Sequence, residues 1–341
     1  MNTNNSAIET GKTSPIEWFN EKLPYLVVPL VILLALPLIG GLPTWVTLTL
    51  AGLAMGMMIF TMASGLSLVF GLMDVLNFGH GAFITFGAFV ASSFVIPFSG
   101  WLQVDSFAQN LAALLTIMLI AVAVGSALGL AFEKVVVAPV YGDHLKQILI
   151  TMGAVIVAEQ MIPVIWGGAP VSMPKPASLN GVLVFGEIAF EKYRLFAFFV
   201  GVVVYLGLYL TLTRTRIGLL VRAGVENREM VEALGYRIDY LFIGVFIAGS
   251  ALAALGGTLW GFYSELITAS VGSEIMILVF IVVIIGGLGS VPGSLIGALL
   301  VGLVANYMGF LVPKLALGSN ILLMLIILLW RPNGLFPVNK H

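Results

Sequence analysis

Five polar side chains stand out because each lies within or beside apolar sequence at membrane depth. They are Asp74, Asn77, His80, Thr85 and Glu159. An ionisable group inside a bilayer costs on the order of a few kcal/mol, and it faces a cavity or a bonding partner. Such side chains can line a path for a small polar solute or for protons, and we assign the five residues to such a path. A structural role stays open as the alternative, for Glu159 as a hydrogen bond to a neighbouring helix or as a subunit contact.

Two breaks in the apolar sequence hold part of this chemistry. The first reads G-L-M-D-V-L-N-F-G-H-G (71–81), and the second reads G-G-L-G-S-V-P-G (286–293). Irregular backbone at membrane depth is tolerated only where it is buried in protein or lines a cavity, and paired breaks in two halves of a chain mark a transport site. We assign hinge or packing roles to Gly79, Gly81, Gly286, Gly287, Gly289 and Gly293. Tight turns and close helix packing explain the same pattern, as the GxxxG spacing of Gly52/Gly56 illustrates.

A charged segment between 214 and 239 contrasts with the rest of the chain. The protein is 60% hydrophobic and only 9% charged, yet this segment holds five arginines and four acidic residues. A chain this apolar has little reason to build a charged, partly helical loop unless another molecule docks on it. The segment therefore predicts an interaction surface outside the membrane.

Several kinds of chemistry find no support in the sequence. There is no cysteine, which excludes disulfides and thiolate sites, and the three histidines are too scattered for a zinc site. Gly11-Lys12-Thr13 resembles the end of a phosphate loop, but Ser6 stands where the required glycine would be. A net charge of −1 argues against nucleic acid. We assign no catalytic residue and no metal ligand; a dispersed Ser-His-Asp set stays open, although nothing resembles a nucleophile elbow.

The elements that must position these residues are membrane-spanning helices. Apolar segments near the ~20 residues needed for a helical span occur at about 25–42, 44–70, 82–98, 108–132, 147–166, 194–213, 240–262, 274–290, 293–312 and 318–330. The predicted fold is all-α, a polytopic transmembrane bundle of about 8–10 spans with discontinuous helices. Its predicted domains are a cytoplasmic tail (1–24), a single membrane domain (25–337) and a short cytoplasmic tail (338–341). The stretch 167–193 predicts a small hairpin on the outer surface, either a plain connector or a landing surface for an extracytoplasmic partner.

Lysine and arginine predict the orientation of this bundle. If 214–239 is cytoplasmic and the chain alternates at every segment, eleven of the fifteen basic residues fall inside. Both termini are then cytoplasmic.

Four motifs in this order resemble those of a known family. They are G-L-S-L-V-F-G-L-M-D-V-L-N-F-G-H-G-A-F (65–83), the R-A-x(3)-N-x(4)-A-x-x-G pattern of 222–235, G-G-L-G-S-V-P-G-S-L-I-G (286–297) and R-P-N-G-L-F (331–336). The chain is identified from about 44 to 337 as similar to the permease subunits of ABC importers for branched-chain amino acids and related solutes. One departure is Gly79, where the family usually has alanine. Glu159 matches no family residue.

This resemblance implies a set of partners and a docking element. The implied partners are a second, homologous permease subunit, two ABC ATPase subunits, an extracytoplasmic solute-binding protein and membrane lipid. A short cytoplasmic helix of such permeases sits in a groove of each ATPase. The matching residues are Arg222, Glu226, Asn227, Arg228, Glu229, Glu232, Ala233 and Gly235. Glycine at 235 is suited to end this helix, while Met230 and Leu234 offer apolar contacts.

The resulting prediction is a transport subunit, not an enzyme, in a bacterial inner membrane. It works by ATP-driven alternating access, with the ATP and magnesium used by the partner ATPases and no cofactor bound by this chain. Branched-chain or other amino acids are the expected cargo, followed by urea, short amides and small organic acids. An ion-coupled secondary transporter that works without an ATPase is the main alternative, and a channel is a third.

Overall fold

The computed structural model describes residues 15–75, 77–226 and 228–337. Its helices are α1 (Pro15–Ile39), α2 (Leu42–Met73), α3 (His80–Val95), α4 (Ser99–Leu102), α5 (Phe107–Phe132), α6 (His144–Trp166), α7 (Lys192–Arg214), α8 (Arg216–Glu226), α9 (Arg228–Ala233), α10 (Ile238–Ser264), α11 (Val271–Gly286), α12 (Val291–Leu311) and α13 (Ala316–Trp330). A π-helical turn (Glu133–Val137) and a 3-10 turn (Ala138–Val140) extend α5, and other 3-10 turns cover Ala177–Leu179 and Pro313–Leu315. The strands are β1 (Val171–Ser172), β2 (Val182–Phe185), β3 (Ile188–Glu191) and β4 (Leu266–Ile267).

The predicted all-α membrane class is confirmed. In the described part of the chain, six helices are long and apolar enough to cross a bilayer, and four shorter apolar helices accompany them. Each of the ten predicted apolar segments corresponds to one of these helices. α1 begins at Pro15, inside the range predicted as the N-terminal tail, and proline suits the first turn of a helix. The remaining tail residues, 1–14 and 338–341, lie outside the described residues, as do Leu76 and Asn227.

α2 is the centre of the bundle, and α7, α10, α11 and α12 all pack against it. Small residues make this approach close. A Cβ on Gly52 would lie 2.9 Å from the Cα of Leu303, and one on Gly56 would lie 2.7 Å from the carbonyl oxygen of Ala298. In a membrane, helices associate through this kind of backbone contact because lipid supplies no hydrophobic driving force between them. The packing role predicted for the Gly52/Gly56 pair is thus confirmed.

After α2 the chain reverses and returns into the bundle. Asp74 ends the helix in the left-handed conformation, with φ of 53°, and its N–H donates to the carbonyl of Phe70. A non-helical segment then leads to His80, the first residue of α3, whose Nε2 lies 2.9 Å from the carbonyl oxygen of Met62. Met62 lies eleven residues before the end of α2, roughly 16 Å along its axis at the standard rise. The first break is therefore a re-entrant segment, and α3 begins inside the protein.

The segment between α6 and α7 forms the predicted hairpin. β2 and β3 are antiparallel, with Val182 opposite Glu191 and Phe185 opposite Ile188. A second pairing joins β1 to β4, with Val171 opposite Ile267. This second pairing, which the sequence did not indicate, fixes the segment to the end of α10.

Candidate functional site

The two breaks meet in the folded protein. A Cβ built on Gly71 would lie 2.6 Å from the carbonyl oxygen of Gly289, so no side chain fits where the two backbones touch. Gly289 also has φ of +82°, a conformation that residues with a Cβ rarely adopt. Both the close approach to Gly71 and the backbone geometry of the second break therefore require a residue without a Cβ at position 289.

The C-terminal motif joins this junction. The N–H groups of Leu335 and Phe336 donate to the carbonyls of Ile285 and Gly286, at 2.9 and 3.0 Å. These carbonyls belong to the last turn of α11, where a helix leaves its oxygens without internal partners. Three of the four family-like motifs therefore converge on one place, which we call the junction: residues 71–81, 286–293 and 331–336.

Asn77 lies inside the junction and is 1% exposed. It lines a narrow crevice with Leu66, Phe70, Val75, Phe280, Val283 and Leu288. Within the described part of the chain, neither its Oδ1 nor its Nδ2 has a hydrogen-bond partner. Next to it, the Phe78 N–H donates to Thr151 on α6 at 3.2 Å, and the Phe78 ring packs 4.8 Å from that of Phe280. The residue after Asn77 is thus held by both α6 and α11, while the Asn77 amide bonds to nothing in the described protein.

His80 and Thr85 brace the start of α3. The His80 ring is fully buried, with Nε2 on the carbonyl of Met62. The Thr85 hydroxyl donates to the carbonyl of Gly81 at 3.2 Å and accepts from the N–H of Gly272 at 3.1 Å. Gly272 is in the first turn of α11, and a Cβ there would lie 2.0 Å from the oxygen of Gly81. The N-terminal ends of α3 and α11 therefore meet within the bundle.

The other two predicted path residues are less buried. Asp74 is exposed at the end of α2, with Oδ2 3.8 Å from Nε2 of His144. Glu159 is half-buried on α6 and accepts a short hydrogen bond from Ser273 in the first turn of α11. Ser273 was not singled out by the sequence, because a lone serine at a helix start carries no signal of its partner. Because Ser273 follows Gly272, whose N–H bonds to Thr85, Glu159 lies near Thr85 at the start of α11. Asn77 and His80 are buried in the first break, whereas Asp74 is exposed at its beginning.

The charged segment is helical, as predicted, and Gly235 ends its second helix. Gly235 has φ of +89°, its N–H donates to the Glu232 carbonyl, and the Tyr236 N–H donates to the Val231 carbonyl. These two bonds define a Schellman motif, in which a left-handed glycine closes the helix. We call residues 228–236 the docking segment.

The docking segment presents apolar side chains outward. Met230, Leu234 and Tyr236 are exposed, whereas Val231 is buried where α9 meets α8 and α10. Glu232 and Ala233 are also exposed. Of the other predicted docking residues, Asn227 lies outside the described residues. The side chains of Arg222, Glu226, Arg228 and Glu229 lie outside them too, although their backbone is helical.

An ion cluster fixes the segment between α6 and α7, at the other end of α7 and α10 from the docking segment. The Lys175 ammonium pairs with Glu191 on β3 and with Glu265 beside β4, the latter at 2.7 Å. Burial alone would lower the pKa of Lys175, but the two carboxylates outweigh it and the pKa is raised. Burial likewise opposes ionisation of Glu191, yet the cations of Lys175 and Arg194 hold its pKa below the usual value. The Arg194 Nε completes the cluster at 2.9 Å from Glu191.

No group of three or more potential metal ligands occurs among the described residues. The candidate site consists of a buried amide in the first break, where the two breaks meet, and of a separate docking segment that bears exposed apolar side chains. The first can bind a small solute by hydrogen bonds, and the second can bind another protein.

Comparison with known proteins supplies the remaining evidence. A family model described as the permease component of the branched-chain amino acid transport system matches residues 48–330. The high-affinity branched-chain amino acid transport permease BraD of Pseudomonas aeruginosa is 29% identical over 296 residues, covering 83% of this chain and 93% of BraD. LivH of Escherichia coli, with the same description, is 25% identical over 297 residues, covering 83% and 92%. A probable permease of the same kind, LivM of Methanocaldococcus jannaschii, is 26% identical over 242 residues, covering 65% and 68%. No solved structure matches the chain significantly.

Proposed function

The chain belongs to the family of branched-chain amino acid transport permease components, and we propose that it forms half of the path by which an ATP-driven importer moves aliphatic amino acids across the membrane. The observation that carries this proposal is the family match over 48–330. The named relatives are described as branched-chain amino acid permeases, and this supports aliphatic amino acids as the cargo. The chain is a multi-pass membrane protein and a transport subunit, not an enzyme.

The path needs partners. A second permease subunit completes the pore, and similarity to both LivH and LivM supports a pair of related chains. Two ATPase subunits bind ATP and magnesium, so this chain binds no cofactor. A binding protein delivers the solute from outside, on the face that carries β2 and β3. The membrane is the bacterial inner membrane, and the distribution of basic residues supports a cytoplasmic position for the docking segment and both termini.

ATP-driven movement of the ATPase subunits reaches this chain through the docking segment. Its exposed Met230 and Leu234 fit an apolar groove on an ATPase. The polar and charged residues near them supply polar contacts: Arg222, Glu226, Asn227, Arg228, Glu229 and Glu232. α9 contacts α10 directly and contacts α8, which contacts α7, so a movement of the docking segment reaches two membrane helices, one directly and one through α8. Rigid-body movement of packed helices is a standard way to switch between two open states.

The junction is the part of the path that this movement opens. The two breaks touch through backbone at Gly71 and Gly289, while Gly286 and Gly293 pack on each other within the second break and Gly287 packs on the C-terminal motif. A contact made by backbone can separate without breaking side-chain bonds. Asn77 and His80 line the path there, and Thr85 with Gly81 holds α3 on α11. Asp74 meets the solute at the exposed edge of the junction, and Glu159 on α6 meets it farther along the path.

Uptake by the reconstituted complex tests this function. The chain is co-purified with its ATPases and second permease, placed in proteoliposomes, and supplied with binding protein and radiolabelled leucine. We expect uptake only with ATP on the docking-segment side, and we expect vanadate to stop it. Uptake by this chain alone, driven by a proton or sodium gradient, would show instead an ion-coupled transporter.

A further inference from the structure

The amide of Asn77 is the most unusual polar group in the described protein. It is almost fully buried, and neither of its polar ends bonds to another described residue. Buried polar groups in proteins are nearly always hydrogen-bonded, so an unpaired amide requires an explanation. By contrast, the amide of Asn306 on α12 donates to the carbonyl of Gly302 at 2.8 Å. Asn77 is therefore suited to form hydrogen bonds with a ligand that enters the junction.

The surroundings of Asn77 restrict what that can be. The crevice is walled by leucine, valine and phenylalanine side chains from both breaks and from α2 and α11. None of its lining residues carries an ionised side chain. A ligand with a net charge would lose its hydration there without gaining a counter-charge, and this is costly. The crevice thus favours a solute of zero net charge with a hydrocarbon portion.

An aliphatic α-amino acid matches both features. It is a zwitterion whose adjacent carboxylate and ammonium partly offset each other's charge, and its branched side chain suits walls of leucine and valine. The crevice itself has room for no more than a water molecule, so the solute enters it only when the two breaks separate. A carboxamide offers two N–H donors on Nδ2 and an acceptor on Oδ1. We infer that Asn77 binds the solute's own charged groups at the junction, and this inference rests on the proposed function. Nδ2 donates to the carboxylate and Oδ1 accepts from the ammonium, while the apolar walls of the opened crevice contact the hydrocarbon side chain.

Gly79 leaves the space for this amide. A Cβ at position 79 would lie 2.9 Å from Oδ1 of Asn77 and 2.5 Å from the ring tip of Phe132. An alanine there would push against the amide and against a flexible ring. The position of Asn77 therefore depends on the missing side chain at 79, and Gly79→Ala displaces the amide without removing it.

The experiment compares variants in the complete reconstituted complex with its binding protein, so that solute delivery is the same for all. Uptake of radiolabelled leucine and ATP hydrolysis are measured together. Asn77→Leu roughly keeps the shape of the side chain and removes its amide oxygen and nitrogen. Asn77→Gln keeps the amide on a side chain that is one methylene longer. Asn306→Leu is the matched control, because it also removes a membrane amide but lies away from the crevice.

We expect Asn77→Leu to lower leucine uptake about ten-fold while binding protein still stimulates ATP hydrolysis, so that more ATP is used per leucine. Asn77→Gln should recover part of the uptake, Gly79→Ala should lie between Asn77→Leu and the wild type, and Asn306→Leu should match the wild type. Unchanged uptake in Asn77→Leu would overturn the inference and leave water as the partner of the amide. Equal loss of uptake and of ATP hydrolysis would also overturn it, because the amide would then only support the fold. A wild-type complex that takes up no leucine would refute the proposed function itself, before any variant is compared.

Discussion

Replacement of Gly235 by alanine tests the docking segment most sharply. A Cβ at this position would meet no atom within 4 Å, so the substitution creates no clash. Its whole effect comes from φ of +89°, where a residue with a Cβ costs about 1–2 kcal/mol. That free energy corresponds to a roughly five- to thirty-fold loss in the population of the closed turn.

The expected result of Gly235→Ala is a complex that assembles in the membrane but couples ATP hydrolysis poorly to leucine uptake. The turn that ends α9 also positions Leu234 and Tyr236, so its loss misplaces the exposed apolar side chains of the docking segment. Stimulation of ATP hydrolysis by loaded binding protein, and leucine uptake with it, should fall about five-fold or more, while the amount of protein in the membrane stays the same.

The matched control is Gly244→Ala. Gly244 lies in α10, and a Cβ there would also meet nothing within 4 Å. Because glycine in a helix is less stable than alanine by roughly 0.5–1 kcal/mol, this variant should be as active as the wild type and slightly more stable. Equal activity of Gly235→Ala and Gly244→Ala would refute the reasoning.

Three further predictions concern the packing, the ion cluster and the α6–α11 contact. Gly257→Ala places a Cβ 2.0 Å from a backbone oxygen of α3, and should cost about 1–3 kcal/mol, seen as a lower thermal unfolding midpoint of the purified complex. Lys175→Met should cost roughly 2 kcal/mol, less than a fully buried pair, and make the hairpin segment more sensitive to protease at neutral pH. Because the pKa of Glu191 is lowered, its ion pairs stabilise the hairpin segment fully above the usual carboxyl pKa, and this stabilisation is lost as the pH falls through the lowered value. Equal protease sensitivity of the unmodified hairpin segment above and below that range would contradict this. Glu159→Ala and Ser273→Ala should each lower the midpoint, with the double variant no worse than either one, whereas additive losses would show that the two side chains act independently.

Much of the fold follows from local sequence. Apolar length predicted each membrane helix, alternation predicted the hairpin of β2 and β3, and glycine at 235 predicted the end of α9. These features depend on neighbours within a few residues, so one sequence suffices to show them.

The features that the sequence did not show depend on distant contacts. The re-entrant course of the first break depends on His80 reaching Met62, and the attachment of the hairpin segment to the end of α10 depends on Val171 pairing with Ile267. The bond between Glu159 and Ser273 joins residues 114 positions apart. The polarity of Asn77 was visible, but its missing partners became visible only when the crevice around it was known.

A cross-linking measurement tests most directly whether energy reaches this chain through the docking segment. Because the chain has no cysteine, Leu234→Cys introduces a single thiol on a side chain that is 71% exposed. A thiol–amine reagent should join it to an ATPase subunit in native membranes, and vanadate trapping should change the yield. Val184→Cys, exposed on the hairpin at the opposite end, should give no ATPase product. An ATPase cross-link from Val184→Cys, or none from Leu234→Cys in a complex that still transports leucine, would contradict the account.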